Sequence, residues 1–451
     1  MKSSIPLTTR PENTLFAEGD VFVLFGELFG RGYATGLVEA AKAAGMTLVG
    51  ITVGRRDDAG ALRALTAEEL AEAEAGLGGR IVNVPLMAGF DMDAPEDAPE
   101  GGATPTQMLA GMTLDNWQDY KLDWAAVARC REAGTARFRA ALDEALAQID
   151  ALIPEGRNVF FAHTMAGGLP RVKAFMAIAN RIYKGRGARH LPSQALIDSD
   201  LGKLILQNFD DVTANSFGHL LKQSAPLRAR VEAGGGQVRY TAYGYHGTRV
   251  LIGDAYRWQT YTSYTQGYAK MRLERHAGAA WAEGVKATVF NCPEIRTNSS
   301  DVFAGIELSL LPLLQALRKE GGGAGRNAGV EALWQHCEAL LKEGVTLDSV
   351  LARVQDYLSD PLMQRYFDFE KWPMQNGPEQ VERTVGTSQE IVALHRDRKA
   401  LISDVLSQHV LDATGQLIFA AASAPEGPVL WLDHDVLARQ MIASGAFAPV
   451  A

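Results

Sequence analysis

The sequence feature that most constrains the fold is a strand, glycine-rich turn, helix and second strand near the N-terminus. After a lead-in that reads as irregular, residues 1–19, an apolar run of strand length, Asp20–Phe25, enters the turn Gly26–Gly36. An amphipathic helix from Leu37 and a second apolar strand, Thr47–Val53, complete the unit. Continuously apolar strands joined by a helix are typical of parallel strands buried on both faces. The pattern predicts an α/β fold with a doubly wound parallel sheet of the Rossmann type.

The turn carries three glycines in the spacing Gly-x-x-x-Gly-x-Gly, at Gly26, Gly30 and Gly32. The first two permit a tight turn and let the backbone approach a pyrophosphate, and the third lets the helix pack closely. The N-terminus of the following helix presents N–H groups and a positive dipole end to phosphate. The turn therefore predicts dinucleotide binding, with a glycine-rich turn that binds nothing as the structural alternative.

Two arginines after the second strand bear on the choice of cofactor. Arg55 and Arg56 stand where an acidic residue would bond the adenine ribose of NAD. Paired guanidinium groups suit a 2′-phosphate instead. We therefore expect NADPH, with NADH as the alternative if the arginines are merely solvated and Asp57 binds the ribose.

Strand and helix patterns continue to alternate as far as the glycine-rich stretch Gly321–Gly329. One buried strand pattern, Asn158–Met165, contains His163, which we expect to be a core histidine and not a catalyst. The sequence thus predicts a dinucleotide-binding and catalytic domain, residues 1–320, enlarged by helical insertions. A mainly helical C-terminal region, residues 321–451, is expected to cover the substrate.

A tyrosine and a lysine further along suggest proton or hydrogen-bond donation to a substrate oxygen. A phenol titrates near pKa ~10, and a neighbouring ammonium group lowers that value. Tyr261 and Lys270 are nine residues apart and would point to opposite sides of a helix, so Tyr261 must precede the helix to meet Lys270. Tyr264 and Tyr268 are rival donors, and plain aromatic packing is the structural alternative.

Composition excludes several other classes. The chain has 451 residues and a formal net charge of −9, which argues against a nucleic-acid surface. Its three cysteines are far apart and offer neither a disulfide framework nor metal-ligand spacing. There is no apolar run of the roughly 18 residues that a membrane span needs, and no signal-peptide core. We expect a cytoplasmic protein without a bound metal.

With these elements placed, the sequence resembles the trans-2-enoyl-CoA and enoyl-acyl carrier protein reductases of the FabV type, enlarged relatives of the short-chain dehydrogenases. Their signature Tyr-x8-Lys matches Tyr261 and Lys270. The stretch Thr241–Thr248 looks like the family's strand whose tyrosine contacts substrate. The resemblance covers about residues 16–320, although the segment between Thr248 and Tyr261 is longer than in the family.

The resemblance implies reduction of the carbon–carbon double bond of a 2-enoyl thioester carried by CoA or by an acyl carrier protein. It implies that Tyr261, aided by Tyr245, stabilises the enolate oxygen. Lys270 would hold the nicotinamide ribose and lower the phenol pKa. Taken with the glycine turn and the arginine pair, the cofactor-binding residues would be Gly26, Gly30, Arg31, Gly32, Arg55, Arg56, Thr164, Met165, Lys270, Ile295 and Thr297.

Two other functions remain open at this point. An NADPH-dependent carbonyl reductase, acting on a 3-oxoacyl or related substrate, would use Tyr261 to protonate an alkoxide. A non-catalytic dinucleotide-binding subunit would keep the fold without turnover. The sequence leaves the acyl chain length, the carrier and the oligomeric state undecided.

Overall fold

The computed structural model describes residues 4–28, 32–168, 172–259, 266–297, 300, 302–365, 376–445 and 447. Eight of the strands in these residues form one central sheet, and four form two small hairpins. The strands are, in chain order, β1 (Ser4–Pro6), β2 (Val21–Phe25), β3 (Thr47–Ile51), β4 (Arg55–Arg56), β5 (Leu62–Arg63), β6 (Arg80–Val82), β7 (Val159–His163), β8 (Val238–Gly244), β9 (Thr248–Ile252), β10 (Ala255–Gln259), β11 (Ala287–Asn291) and β12 (Val429–Trp431).

The helices flank this sheet on both faces. A π-helical segment, Asp210–Asn215, joins two of them, and short 3₁₀ turns lie at Pro95–Asp97 and Gly187–Arg189. The α-helices of the described residues are α1 (Ala34–Ala43), α2 (Ala67–Leu77), α3 (Pro105–Met108), α4 (Trp124–Asp150), α5 (Lys173–Tyr183), α6 (Ser193–Asp198), α7 (Asp200–Phe209), α8 (Ser216–Gln223), α9 (Ala225–Ala233), α10 (Gln266–Ala282), α11 (Ile306–Leu310), α12 (Pro312–Glu320), α13 (Ala328–Ala339), α14 (Leu347–Ser359), α15 (Pro361–Gln364), α16 (Pro378–Ala393), α17 (Ile402–Ser423) and α18 (His434–Ser444).

The predicted doubly wound parallel sheet is confirmed. Its strand order is β1-β12-β11-β8-β7-β2-β3-β6, and every neighbouring pair is parallel. The chain moves outward from β2 in one direction through β3 and β6, and in the other through β7 and β8. Ligands of open α/β sheets bind at the carboxyl ends of the strands where this direction reverses. That point lies between β2 and β7.

Strand β2 shows why both faces need cover. Phe22 and Leu24 pack into one apolar cluster with residues of α1 and α17, whereas Val21, Val23 and Phe25 pack into a second with α4 and α8. Successive side chains of a strand point to opposite faces of the sheet. A strand that is apolar at every position must therefore be buried on both faces. The C-terminal helix α17 supplies cover for the first face.

The C-terminal region also enters the sheet itself. Strand β12 lies between β11 and β1, with Val429 opposite both Val289 and Ser4. The N-terminal segment was therefore wrongly interpreted as wholly irregular, because β1 forms the sheet edge. Both strands have only three residues, which is too short for an alternation pattern to be recognised. The division of the chain near residue 320 stays a prediction.

Helices α1 and α17 touch backbone to backbone. A Cβ added to Gly36 would lie 2.0 Å from the carbonyl oxygen of Leu411, and one added to Gly415 would lie 2.0 Å from the carbonyl carbon of Gly36. Real side chains never approach so closely, so both helices need glycine at this crossing. The contact fixes the helix that follows the glycine turn.

In the described residues, no helix combines the length and the apolar character required to cross a bilayer.

We predict that Gly415→Ala destabilises the protein by about 1–3 kcal/mol, because the added methyl group overpacks the crossing with α1. A thermal unfolding midpoint clearly below that of the native protein is the expected result. Gly278→Ala in α10 is the matched control, since nothing lies within 4 Å of its added Cβ. Alanine in a helix interior should leave stability there equal or slightly higher. Equal midpoints for Gly415→Ala and the native protein would contradict the contact.

Candidate active site

The carboxyl ends of four neighbouring strands bring together most of the predicted site. Gly26 follows β2, Thr164 and Met165 follow β7, Tyr245 follows β8, and Ile295 and Thr297 lie beyond β11. The N–H of Thr164 donates to the carbonyl of Phe25 at 2.9 Å, which ties the loops after β2 and β7 together. The sheet topology thus assembles residues that are more than 250 positions apart in the sequence.

The loop after β7 is fixed further by the π-helical segment. The N–H of Gly167 donates to Thr213 Oγ1 at 2.8 Å. A π-helical turn inside a longer helix is uncommon and frequently marks a functional site. Here it presents a side-chain acceptor to the loop that carries Thr164 and Met165.

Gly26, at the start of the glycine turn, occupies a position that admits only glycine. Gly26 has φ +127°, and a Cβ at this position would lie 2.4 Å from Thr164 Oγ1, so only glycine is compatible with the turn. Gly32 lies two residues before the first residue of α1, and its carbonyl accepts from the N–H of Thr35 at 3.0 Å. Gly30 and Arg31 lie outside the described residues. Close packing of α1 is achieved at Gly36.

The N-terminus of α1 suits an anionic ligand. Its N-cap residue, Tyr33, makes no side-chain capping bond, and the first turn contains no acidic residue. A cavity of about 600 Å³ opens beside it, and its lining includes Gly26, Glu27, Thr35 and Arg55. Backbone N–H groups and a positive dipole end at the edge of such a cavity are the features that hold a dinucleotide phosphate.

Both predicted 2′-phosphate ligands are already engaged. The Arg55 guanidinium bonds the carboxylate of Glu27. Arg56 pairs with Asp91 and also donates to the carbonyl of Gly60 at 2.6 Å. The alternative ribose ligand is occupied as well, because Asp57 Oδ1 accepts from the N–H of Ala61 at 2.9 Å within its own turn.

Lys270 lies on α10 with its amino group turned towards the end of β8. Its Nζ donates to the carbonyl oxygen of Tyr243 at 2.7 Å. Burial lowers the pKa of the Lys270 ammonium from 10.5 to about 8, against a smaller opposing effect of Cys292. Burial also raises the pKa of the Cys292 thiol, so the sulfur is protonated at neutral pH. The lysine is therefore the titrating group of this pair near pH 8.

The predicted donor Tyr261 and its two rivals fall at or just before the start of α10 in the chain. Tyr261 and Tyr264 precede α10, which begins at Gln266, and both lie outside the described residues, as does the side chain of Tyr268. Tyr243, in contrast, is a core residue stacked on Tyr33 at a centroid distance of 5.7 Å. Burial raises its pKa well above the usual value.

A buried glutamate that the sequence analysis missed holds Tyr245. The Tyr245 hydroxyl donates to Glu294 Oε1 at 3.2 Å, and Ser309 Oγ donates to Glu294 Oε2 at 2.9 Å. Glu294 is only 5% exposed. It follows the apolar strand β11 by three positions, and an acidic residue just beyond a buried strand was the available signal. The missing information was which side chain would face it.

The segment that was expected to be longer than in the FabV type is the hairpin β9–β10. Its strands pair antiparallel around Gly253 and Asp254. Asp433, beyond β12, accepts from the N–H of Arg249 at 2.6 Å and pairs with its guanidinium at 2.5 Å. The hairpin rests on the C-terminal region and is the last described element before residues 260–265, which include Tyr261.

His163 is a core histidine, as predicted. It is 2% exposed, and its Nε2 lies 2.8 Å from Ser216 Oγ. Burial lowers its pKa to about 3, with a smaller contribution from the Lys270 charge. The ring is neutral at physiological pH.

Comparison with known proteins identifies the family. Residues 3–441 match the family model described as enoyl-acyl carrier protein reductase FabMG. The chain belongs to the FabMG family of enoyl-acyl carrier protein reductases. A solved apo FabMG structure is 61% identical, with a TM-score of 0.93 and coverage of 98% of each chain. An NADH-bound FabMG structure is 53% identical, with a TM-score of 0.78 and coverage of 98% of this chain and 100% of that one. No curated protein sequence matches the chain.

Membership of the FabMG family confirms the expected reaction class. The protein is an oxidoreductase that reduces an enoyl thioester, and the resemblance to enoyl reductases was correct at that level. The FabV type is a subdivision that the FabMG match does not address. Neither carbonyl reduction nor a non-catalytic role receives support from the family.

We predict that Lys270 titrates near pH 8. In the unfolded chain the Lys270 pKa keeps its ordinary value of 10.5. Between pH 8 and pH 10.5 the unfolded chain therefore holds the Lys270 proton, whereas the folded protein has lost it. Across this pH range the contribution of Lys270 to the free energy of unfolding rises with pH. NMR of ¹³C-methylated lysines should show one resonance with a midpoint near pH 8. That resonance should be absent from Lys270→Met. Titration of every lysine near 10.5 would contradict the burial of this amino group.

Proposed function

We propose that this FabMG enzyme reduces the C2–C3 double bond of a trans-2-enoyl group carried by an acyl carrier protein, with NADH as its preferred reductant. The observation that carries the proposal is the position of Lys270. In a member of an enoyl reductase family, its amino group lies at the strand ends next to the glycine turn, bonded to Tyr243. The reaction class follows from the family, and the residue roles below are our assignments.

A nicotinamide dinucleotide is the cofactor of this chemistry, and the residues present are compatible with it. Gly26 and Gly32, with the N-terminus of α1, would hold the diphosphate, and Lys270 the nicotinamide ribose. Backbone groups of Thr164, Met165, Ile295 and Thr297, together with Gly30 and Arg31 outside the described residues, complete the proposed site. When bound, the nicotinamide ring supplies the hydride.

The protein's part is to stabilise the charge that develops on the thioester oxygen. We assign Tyr261 as the donor to this oxygen, since a preorganised hydroxyl is worth most where negative charge appears in the transition state. The Lys270 ammonium lowers the pKa of that phenol by its charge. The Tyr245 hydroxyl has one proton, and in this structure it donates that proton in a hydrogen bond to Glu294. Tyr245 can therefore support the same oxygen only after this hydrogen bond to Glu294 is broken.

Three observations favour NADH over NADPH. The related FabMG structure that is 53% identical has NADH bound. Arg55 and Arg56 are both paired with carboxylates, so neither guanidinium is available without breaking an ion pair. The cavity beside the glycine turn is lined by three carboxylates and one arginine, a balance that disfavours an additional phosphate; these residues are Glu27, Glu69, Glu72 and Arg55.

The cofactor preference can be measured directly. We expect kcat/KM for NADH to exceed that for NADPH by at least about tenfold, because a 2′-phosphate would meet like charge. Glu27→Gln releases Arg55 and should raise kcat/KM for NADPH with little change for NADH. The control is Glu74→Gln. Glu74 lies on α2, like Glu72, but does not line the cavity. A native preference for NADPH would instead support the expectation drawn from the arginine pair.

The donor assignment predicts a large and selective loss in Tyr261→Phe. Removing one oxyanion donor typically costs ~10²–10³ in kcat, and the affinity for NADH should change little. Tyr264→Phe is the matched control and should turn over normally. Lys270→Ala should lower kcat and also weaken NADH binding, because we assign it to both tasks. Normal turnover by Tyr261→Phe together with a loss in Tyr264→Phe would reverse the assignment.

Several finer properties remain proposals. We propose acyl carrier protein as the carrier, with CoA thioesters as the alternative that a substrate comparison separates. The region after residue 320 is proposed to cover the acyl site, in addition to its contribution of β12 and α17 to the core. A cytoplasmic location stays a prediction, and the oligomeric state stays open.

A further inference from the structure

One long segment of this acidic protein contains no acidic residue. Between Glu155 and Asp198 lie 42 residues without Asp or Glu, although the chain has 53 of them and a net charge of −9. The same segment holds seven basic residues, namely Arg157, Arg171, Lys173, Arg181, Lys184, Arg186 and Arg189. Six of the seven fall within residues 171–189. A basic segment in an acidic chain marks a surface for an anionic partner.

This segment adjoins the active site. It continues from β7 through Thr164 and Met165 into α5. The buried face of α5, with Phe175 and Ile178, packs in the same apolar cluster as Ala269, the neighbour of Lys270. Tyr245 packs against that cluster as well. Helix α5 therefore packs in the same apolar cluster as residues next to Lys270 and Tyr245 of the proposed site.

The opposite face of α5 is exposed and combines charge with an apolar side chain. Lys173, Met176 and Asn180 recur at helical spacing and are all exposed. Met176 has 52% of its surface exposed, which makes it one of two large hydrophobic residues with high exposure in the described part of the chain. An apolar side chain amid basic residues is typical of a protein contact, since methionine adapts to varied partner surfaces.

Part of the basic charge is uncompensated. Arg186 pairs with Glu382, and Arg181 donates to the carbonyl of Arg189 at 3.3 Å. Lys173 and Arg189, in contrast, form no ion pair with any described residue. Their charges are thus available to a partner and are close enough to the surface to be screened by salt.

We infer that the exposed face of α5 and the following 3₁₀ turn, with Lys173, Met176 and Arg189, is the docking surface for an acidic acyl carrier protein. The inference rests on the proposed function, which makes a carrier-bound enoyl group the substrate. Charge complementarity guides the carrier to this face, and Met176 supplies the apolar contact. Docking here delivers the acyl group across the helix wall to the site beside Lys270.

The test compares two substrates with the same enoyl group. Crotonyl-acyl carrier protein presents the protein surface, whereas crotonyl-N-acetylcysteamine is neutral and carries neither protein nor phosphate. In Lys173→Glu/Arg189→Glu, kcat/KM for the carrier-bound substrate should fall about tenfold, while that for the small thioester is unchanged. Met176→Gln should lower the carrier value by a smaller factor. Raising the salt concentration should weaken the native carrier reaction alone.

The matched control reverses two exposed basic charges elsewhere. Arg80→Glu/Lys222→Glu changes the net charge equally, and neither residue pairs with an acidic group among those described. It should leave both substrates unaffected. An equal loss in this control, an equal loss with both substrates, or an unchanged carrier reaction would each overturn the docking assignment.

Failure of the proposed function is recognised separately. Native protein that reduces neither substrate with NADH or NADPH would contradict the enoyl reductase activity itself, before any variant is made. If the carrier reaction is unchanged in Lys173→Glu/Arg189→Glu while sedimentation shows a dimer dissociating, the face binds a second copy of this chain. That result would also overturn the carrier proposal.

Discussion

The crossing of α1 and α17 is the contact on which the rest of the structure depends. Gly36 and Gly415 let the two backbones touch, and this brings the C-terminal region onto the helix that begins at the glycine turn. From α17 the chain runs directly into β12, which pairs with β11 and with β1. The part of the chain before residue 320 and the C-terminal region therefore share one sheet and one core. Loosening this crossing would displace the helix that follows the glycine turn.

Burial governs two charged groups of the site, one at the end of β8 and one beyond β11. Lys270 is bonded to the Tyr243 carbonyl and has a lowered pKa, while Glu294 is shielded and holds the Tyr245 hydroxyl. A low local dielectric strengthens such interactions and makes an unpaired group costly. Under the proposed roles, an enolate would form beside the Lys270 ammonium and the Tyr261 hydroxyl.

Arg55 and Arg56 have the residue type that suits a phosphate, but both guanidinium groups are bonded to carboxylates in this structure. Two guanidinium groups follow the second strand, and their residue type alone predicts that Arg55 and Arg56 bind a 2′-phosphate. Their partners, Glu27 and Asp91, lie 28 and 35 positions away, and no local pattern connects them. Contacts between distant residues thus set what the two guanidinium groups bond in this structure, and the choice between NADPH and NADH stays a proposal. The basic face of α5 is the reverse case, since its lack of acidic neighbours is visible in the sequence.

By itself the sequence determined the alternation of buried strands and helices, the glycine turn at Gly26, the core position of His163 and the reductase class. These follow from periodicity, backbone geometry and a local signature, all of which are encoded by nearby residues. Only the tertiary structure decided the addition of β1 and β12 to the sheet and the bond between Tyr245 and Glu294. The strands are too short to show a pattern, and the bond joins residues 49 positions apart. The packing of the helices on the sheet decides which distant residues come into contact. No short stretch of the sequence encodes that packing.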